Sequence, residues 1–144
     1  MREILFRGKR IDNGNWVEGF YVEDPFCDRY EICDVNSVTY HREDVYPSTV
    51  GQYTGLQDKN GKRIFEGDIV RYRYETGKGH WNSDQLSVIE WENTGCFMRG
   101  IMGTNKYACA TGWLVSIPHG NGKFFEVIGN IHDNPELLEV NHEN

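Results

Sequence analysis

The sequence predicts a mainly β fold, and three observations carry that prediction. Asn13-Gly14 and Asn60-Gly61 each lie between apolar stretches, the strongest short-range signal for a hairpin. Residues 68–74 alternate, with Val70, Tyr72 and Tyr74 facing one way and Arg71 and Arg73 the other. The chain also carries 8 Tyr, 7 Phe and 4 Trp alongside 16 Gly. Large flat side chains suit a pleated surface, and short strands need many turns.

The two Asn-Gly signals sit in segments that echo each other. The first runs Gly8-Lys9-Arg10-Ile11-Asp12-Asn13-Gly14 and continues through Glu18-Gly19 to Val22. The second runs from Gly55 through Asp58-Lys59-Asn60-Gly61-Lys62-Arg63-Ile64 to Glu66-Gly67 and Val70. The offset is 47 residues at Asn-Gly and 48 at Glu-Gly, so one residue is inserted between them. A type I′ turn is expected at each Asn-Gly, with positive φ at both central residues. Each echo is expected to open one lobe.

Taken in order, residues 2–7 read as a short strand with Ile4 and Phe6 on one face. Residues 15–23 read as a second strand, in which Trp16, Glu18, Phe20 and Val22 share a side and Val17 and Tyr21 lie opposite. Gly19 in its middle marks a bulge or a close backbone approach. Residues 23–34 lead as a loop into Tyr30-Glu31-Ile32-Cys33, and residues 37–46 read as short strands closed by Pro47. Residues 75–84 lack periodicity and hold two Gly, which marks a long exposed hairpin loop. Residues 86–91 and 95–101 form the next hairpin, residues 104–111 a loop or helical turn, and residues 113–117 and 123–131 further strands.

Asp133-Asn134-Pro135-Glu136 combines a capping residue, a first-turn Pro and an early acid, which is a helix start. So short a helix needs Leu137 and Leu138 docked on the sheet. The rhythm of the second half is that of a small, strongly bent barrel of the SH3-like class. The expected architecture is therefore an N-terminal β lobe over residues 1–49 and an SH3-like β-barrel over residues 50–144, packed as one unit with a short C-terminal helix.

At 144 residues with 38% hydrophobic content, the chain has enough apolar material for a packed interior. Its net charge of −7 disfavours nucleic acid as a partner, which calls for the opposite sign. Arg2, Glu3, Arg7, Lys9 and Arg10 break up the start of the chain, so no secretory leader is expected there. No apolar run approaches the ~18 residues of a membrane helix. The expectation is a cytoplasmic protein, in the host cytosol, whose four Cys are free thiols.

The opening Met1-Arg2-Glu3-Ile4-Leu5-Phe6-Arg7-Gly8-Lys9-Arg10, followed by Trp16-Val17-Glu18-Gly19, resembles the start of the YopX family of phage and prophage proteins. The block from Val50-Gly51-Gln52-Tyr53-Thr54-Gly55 through Asn60-Gly61 to Ile64-Phe65-Glu66-Gly67-Asp68-Ile69-Val70 carries the most specific resemblance. Val127-Ile128-Gly129-Asn130-Ile131-His132-Asp133-Asn134-Pro135-Glu136-Leu137-Leu138 matches its close. The resemblance implies a β-rich fold with an SH3-like part and a phage or prophage origin. It brings no catalytic residue.

Chemical signatures are sparse. Cys27, Cys33 and His41 are spaced too widely for a structural zinc site, whose Cys usually lie two to four residues apart. Cys109 with His119 or His132 and Asp133 would supply a nucleophile, a base and an orienting acid, yet capping explains the His132-Asp133-Asn134 run more simply. Glu66 and Asp68 flank a turn glycine, where acids accept backbone N–H bonds. No metal or other cofactor is expected. The candidate binding residues are Arg71 and Arg73, beside stacking tyrosines, and Lys78, His80 and Trp81 in the long loop. The leading expectation is a non-enzymatic accessory protein that binds a host or phage protein and forms a homo-oligomer. A nucleic-acid-binding module and a hydrolase or nuclease without a recognisable motif are the alternatives.

Overall fold

The computed structural model describes residues 3–39, 41–72, 85–92, 95–100, 112–113 and 125–138. These residues are mainly β. The strands are β1 (Phe6–Lys9), β2 (Trp16–Asp24), β3 (Arg29–Asp34), β4 (Arg42–Asp44), β5 (Gly51–Gln57) and β6 (Arg63–Phe65). They continue with β7 (Asp68–Tyr72), β8 (Gln85–Glu92), β9 (Gly95–Gly100), β10 (Gly112–Trp113) and β11 (Phe125–Asn130). The chain divides into two compact units, Met1–Gly55 and Leu56–Asn144, and β5 runs across the division.

The first unit is an antiparallel sheet in the order β4-β3-β2-β1-β5. Its core is Val17, Ile32 and Val45, flanked by Phe6, Tyr21, Tyr30 and Val50. Val17 and Tyr21 thus face inward together, as the alternation in β2 predicts. The strand expected over residues 2–7 instead begins at Phe6. Ile4 precedes it and is exposed, while Leu5 is buried. Gly19 is the close approach its position predicts: an added Cβ would sit 1.8 Å from the Cys33 carbonyl oxygen.

The first Asn-Gly turn differs from the expected two-residue type I′ form. Gly14 has positive φ, at 72°, and Asn13 does not. Arg10 N–H donates to Asn15 O at 2.8 Å, and Gly14 N–H to Arg10 O at 2.9 Å. The loop is therefore four residues long, and one αL glycine suffices. Beyond β4 the chain returns to this turn. Ile11 N–H donates to Asp44 O at 3.0 Å, and Tyr46 N–H to Lys9 O at 2.9 Å. A 3-10 turn over Pro47–Thr49 follows, its Thr49 hydroxyl accepting from Lys9 N–H at 2.9 Å.

The second unit holds an antiparallel sheet in the order β10-β9-β8-β7-β11, while β6 adjoins β5. The hairpin of β8 and β9 has the expected ends, with Glu92 opposite Gly95. One cluster packs Ile64, Val70, Ile89 and Phe125 together, with Leu56 and Val127 against them. A second joins Ile69 and Val88 to Leu86, Ile128, Ile131 and Leu137. Adjacent Ile69 and Val70 point to opposite faces, so β7 is covered on both sides. The face that carries Arg71 is half core, because Ile69 shares it.

Two expectations are corrected here. The sheet is open: β10 and β11 lie at its two edges, and no pairing joins them among the described residues. In place of closure, the turn at Asp58 to Lys62 folds over the edge of β11. The expected C-terminal helix is a single 3-10 turn, Pro135–Leu138, with Leu137 docked and Leu138 exposed. Asn134 does not cap it. Its Oδ1 turns back to accept from Asn130 N–H at 3.2 Å.

Candidate functional site

Of the binding residues read from the sequence, Arg71 is described; Arg73, Lys78, His80 and Trp81 lie outside the described residues. Arg71 stands opposite Glu126 across β7 and β11. Its Nη1 is 3.8 Å from Glu126 Oε2, and Lys59 Nζ is 3.4 Å from the same oxygen. Two exposed cations bracket one carboxylate, an arrangement that contributes little stability and offsets charge a phosphate would need. Both units are acidic. The first carries six Lys or Arg against ten Asp or Glu, and the second nine against twelve. Neither charge balance favours nucleic acid.

Of the two acids flanking Gly67, Asp68 serves the turn. Gly67 has φ of 90°, donates to Ile89 O at 2.8 Å and accepts from Ile131 N–H at 2.9 Å. Buried Asp68 accepts from Phe65 N–H at 2.7 Å through Oδ2. Glu66 is half-buried beside Glu90. Burial pushes its carboxyl above the ordinary value, and Glu90 adds to the shift. His132 and Asp133 belong to a loop organised by Asn130, whose Oδ1 accepts both their N–H groups at 3.0 and 2.9 Å. Asp133 Oδ2 accepts from Asn130 Nδ2 at 3.2 Å. Cys109 and His119 lie outside the described residues.

Cys27 sits in the turn between β2 and β3, whereas Cys33 is near the far end of β3. His41 Nε2 lies 3.3 Å from Glu43. Among the described residues, no three His, Cys, Asp or Glu converge on a metal position.

Asp58 is a structural residue that sequence reasoning missed. It is 5% exposed. Oδ1 accepts from Asn60 N–H at 2.8 Å and Lys62 N–H at 2.9 Å, and Oδ2 from Val127 N–H at 3.0 Å. An Asp two residues ahead of Asn-Gly is the available local signal for such a turn.

Among the described residues, the exposed large apolar side chains lie mainly in the first unit. Phe26 is 99% exposed on the loop between β2 and β3, and Val38 is 97% exposed on the loop between β3 and β4. Ile11 and Tyr46 are also exposed. Beside Phe26 opens a groove of about 450 Å³, walled by Ile11, Tyr30, Val45 and Pro47. Cys27 and the charged Asp28, Arg29 and Asp44 complete its lining. A smaller cavity of about 270 Å³ runs between Trp16 and Asp34. The Trp16 ring there is already engaged by the Arg7 guanidinium at 4.6 Å and Lys9 at 5.8 Å. Arg10, at the same cavity, is committed to Asp12 at 2.7 Å and Glu43 at 3.0 Å. The groove is the better candidate, because its charged side chains, Asp28, Arg29 and Asp44, make no ion pair among the described residues.

The family described as YopX protein matches residues 5–139. The crystal structure of protein EF1440 from Enterococcus faecalis is similar to this chain, with a TM-score of 0.57 at 24% identity. That similarity covers 96% of this chain and 100% of that one. It is a likeness of fold. No curated protein matches the chain. No helix among the described residues is long and apolar enough to cross a membrane.

Proposed function

Because this chain belongs to the YopX protein family, we propose that it is a phage or prophage accessory protein that binds a protein partner in the host cytosol. The first unit supplies the binding surface. The carrying observation is that Phe26 and Val38, both large and apolar, stand almost wholly in solvent on the loops at the two ends of β3, and that Phe26 lies beside the groove. Single exposed apolar residues are ordinary, but an aromatic tip beside a groove of mixed apolar and charged lining forms a patch of the kind that proteins bind. Catalysis lacks comparable support, because the buried acids Asp58 and Asp68 are committed to backbone N–H groups.

The test is a tagged pull-down of the full chain from a lysogen, with wild type beside a Phe26→Ser/Val38→Ser variant. The expected result is a protein that copurifies with wild type and falls about tenfold or more with the variant, a loss of ~1.4 kcal/mol or more. Thermal unfolding of the variant should match wild type, because neither side chain packs. An identical capture profile for both proteins would sink the proposal.

A further inference from the structure

We infer that the partner of this surface is a second copy of the chain, with Phe26 of each copy seated in the groove of the other about a two-fold axis. The inference rests on the first unit's being the binding surface and adds the occupant. Three observations support it.

The knob and half of the hole belong to one hairpin end. Phe26 precedes Cys27 and Asp28, which line the groove, and its own side chain points away into solvent. An element that presents a projection and its receptacle side by side is self-complementary under two-fold rotation. A groove of about 450 Å³ also has room for an aromatic ring.

The knob is preorganised. Asp24 Oδ1 accepts from Phe26 N–H at 3.1 Å and Cys27 N–H at 3.4 Å, and Asp28 closes the turn with φ of 52°. A tip already fixed loses little freedom when it docks.

The charges around the groove also complement each other. The side chains of Asp28, Arg29 and Asp44 make no ion pair among the described residues. A two-fold contact brings Arg29 of one copy toward Asp28 and Asp44 of the other, twice per dimer. A basic peptide from another protein would satisfy the acids and leave Arg29 without a counterpart.

Light scattering on the purified full chain tests this without any other protein. Wild type is expected at twice the monomer mass at micromolar concentration. Phe26→Ser (the knob) and Ile11→Glu (the groove wall, from a different segment) should each raise the dissociation constant about 100-fold, or ~2.7 kcal/mol. Their melting curves should stay those of a folded protein. Arg29→Glu copies, and separately Asp28→Lys/Asp44→Lys copies, should be monomeric alone and should pair when mixed. A monomeric wild type overturns the inference. So does dimerisation of both Phe26→Ser and Ile11→Glu at wild-type strength, or a mixture of the two charge variants that stays monomeric. A monomeric wild type combined with a partner lost from Phe26→Ser/Val38→Ser in the pull-down would leave the protein-binding function standing with a different occupant.

Discussion

The two Asn-Gly turns put the same dipeptide to different use. In the first unit the loop spans residues 11–14 and is closed between Arg10 and Asn15, with Asn13 Oδ1 accepting from Asn15 N–H at 2.9 Å. In the second it spans residues 59–61 and is closed between Asp58 and Lys62, with a 2.7 Å bond from Asp58 N–H to Lys62 O. Both use the glycine in the left-handed region, at φ of 72° and 82°. The second is the three-residue form that ends in an αL glycine. The residue two before each Asn-Gly makes the difference. Ile11 is exposed and uses its backbone, whereas the equivalent Asp58 is buried and uses its side chain as well. Both turns then reach a strand late in their own unit, through Ile11 N–H to Asp44 O and Lys59 N–H to Phe125 O. One turn therefore leaves its side chain for a surface. The other spends it on holding an edge strand.

The largest test of this contrast is Asp58→Ala against Ile11→Ala. Removing Asp58 leaves the N–H groups of Asn60, Lys62 and Val127 without their acceptor. The expected cost is about 3 kcal/mol, set by the loss of bonds to a charged group. Ile11 is 51% exposed, so its truncation should stay within about 0.5 kcal/mol. Urea unfolding of both variants measures the gap. Equal costs would break the distinction between a stapling turn and a surface turn.

The Glu-Gly pairs that complete the two echoes separate next. Gly19 lies within β2, and Gly67 turns the chain between β6 and β7. Gly19→Ala drives a methyl into the Cys33 carbonyl, so β2 and β3 must move apart; overpacking of this kind costs about 2–3 kcal/mol. At Gly67 the nearest atom to an added Cβ is Ile131 Cγ1 at 3.6 Å, and only the φ of 90° is penalised. Left-handed strain predicts about 1–2 kcal/mol. A Gly67→Ala variant less stable than Gly19→Ala would mean that the turn carries more than its backbone shape.

Local chemistry explains what the sequence made legible. The alternation in β2 and the hairpin of β8 and β9 need only period-two patterning and a short turn, so both are readable. The fate of Arg71 depends on Glu126 and Lys59, which the fold brings together from 55 residues downstream and 12 upstream. Asp58 is half readable: its bonds to Asn60 and Lys62 follow from turn chemistry, while Val127 lies 69 residues away. Barrel closure fails as a prediction because rhythm counts strands and says nothing of which edges meet. Phe26 and Val38 carry no local mark of exposure. A single apolar residue in a loop can pack inward or project, and the structure alone separates the cases.

The smallest effects are electrostatic, and they carry opposite signs in the two units. At the first turn, the hydrogen bond from Arg10 holds the Asp12 carboxyl below its ordinary value of 3.8. A depressed carboxyl adds stability above its unfolded pKa and loses it as pH falls through the folded one. Glu66 is raised above its ordinary value of 4.5, so its contribution is intact below that pH and lost as pH rises through the folded pKa. Asp12→Asn should therefore lower stability at neutral pH and converge on wild type in acid. Glu66→Gln should raise it at neutral pH, by less than about 1 kcal/mol given its partial exposure, and converge below pH 4.5. Melting temperatures across that range decide the matter. A Glu66→Gln curve that tracks wild type at every pH would show that Glu90 and burial exert no net pressure on the turn. The acid at the second echo would then be as inert as a fully solvated one.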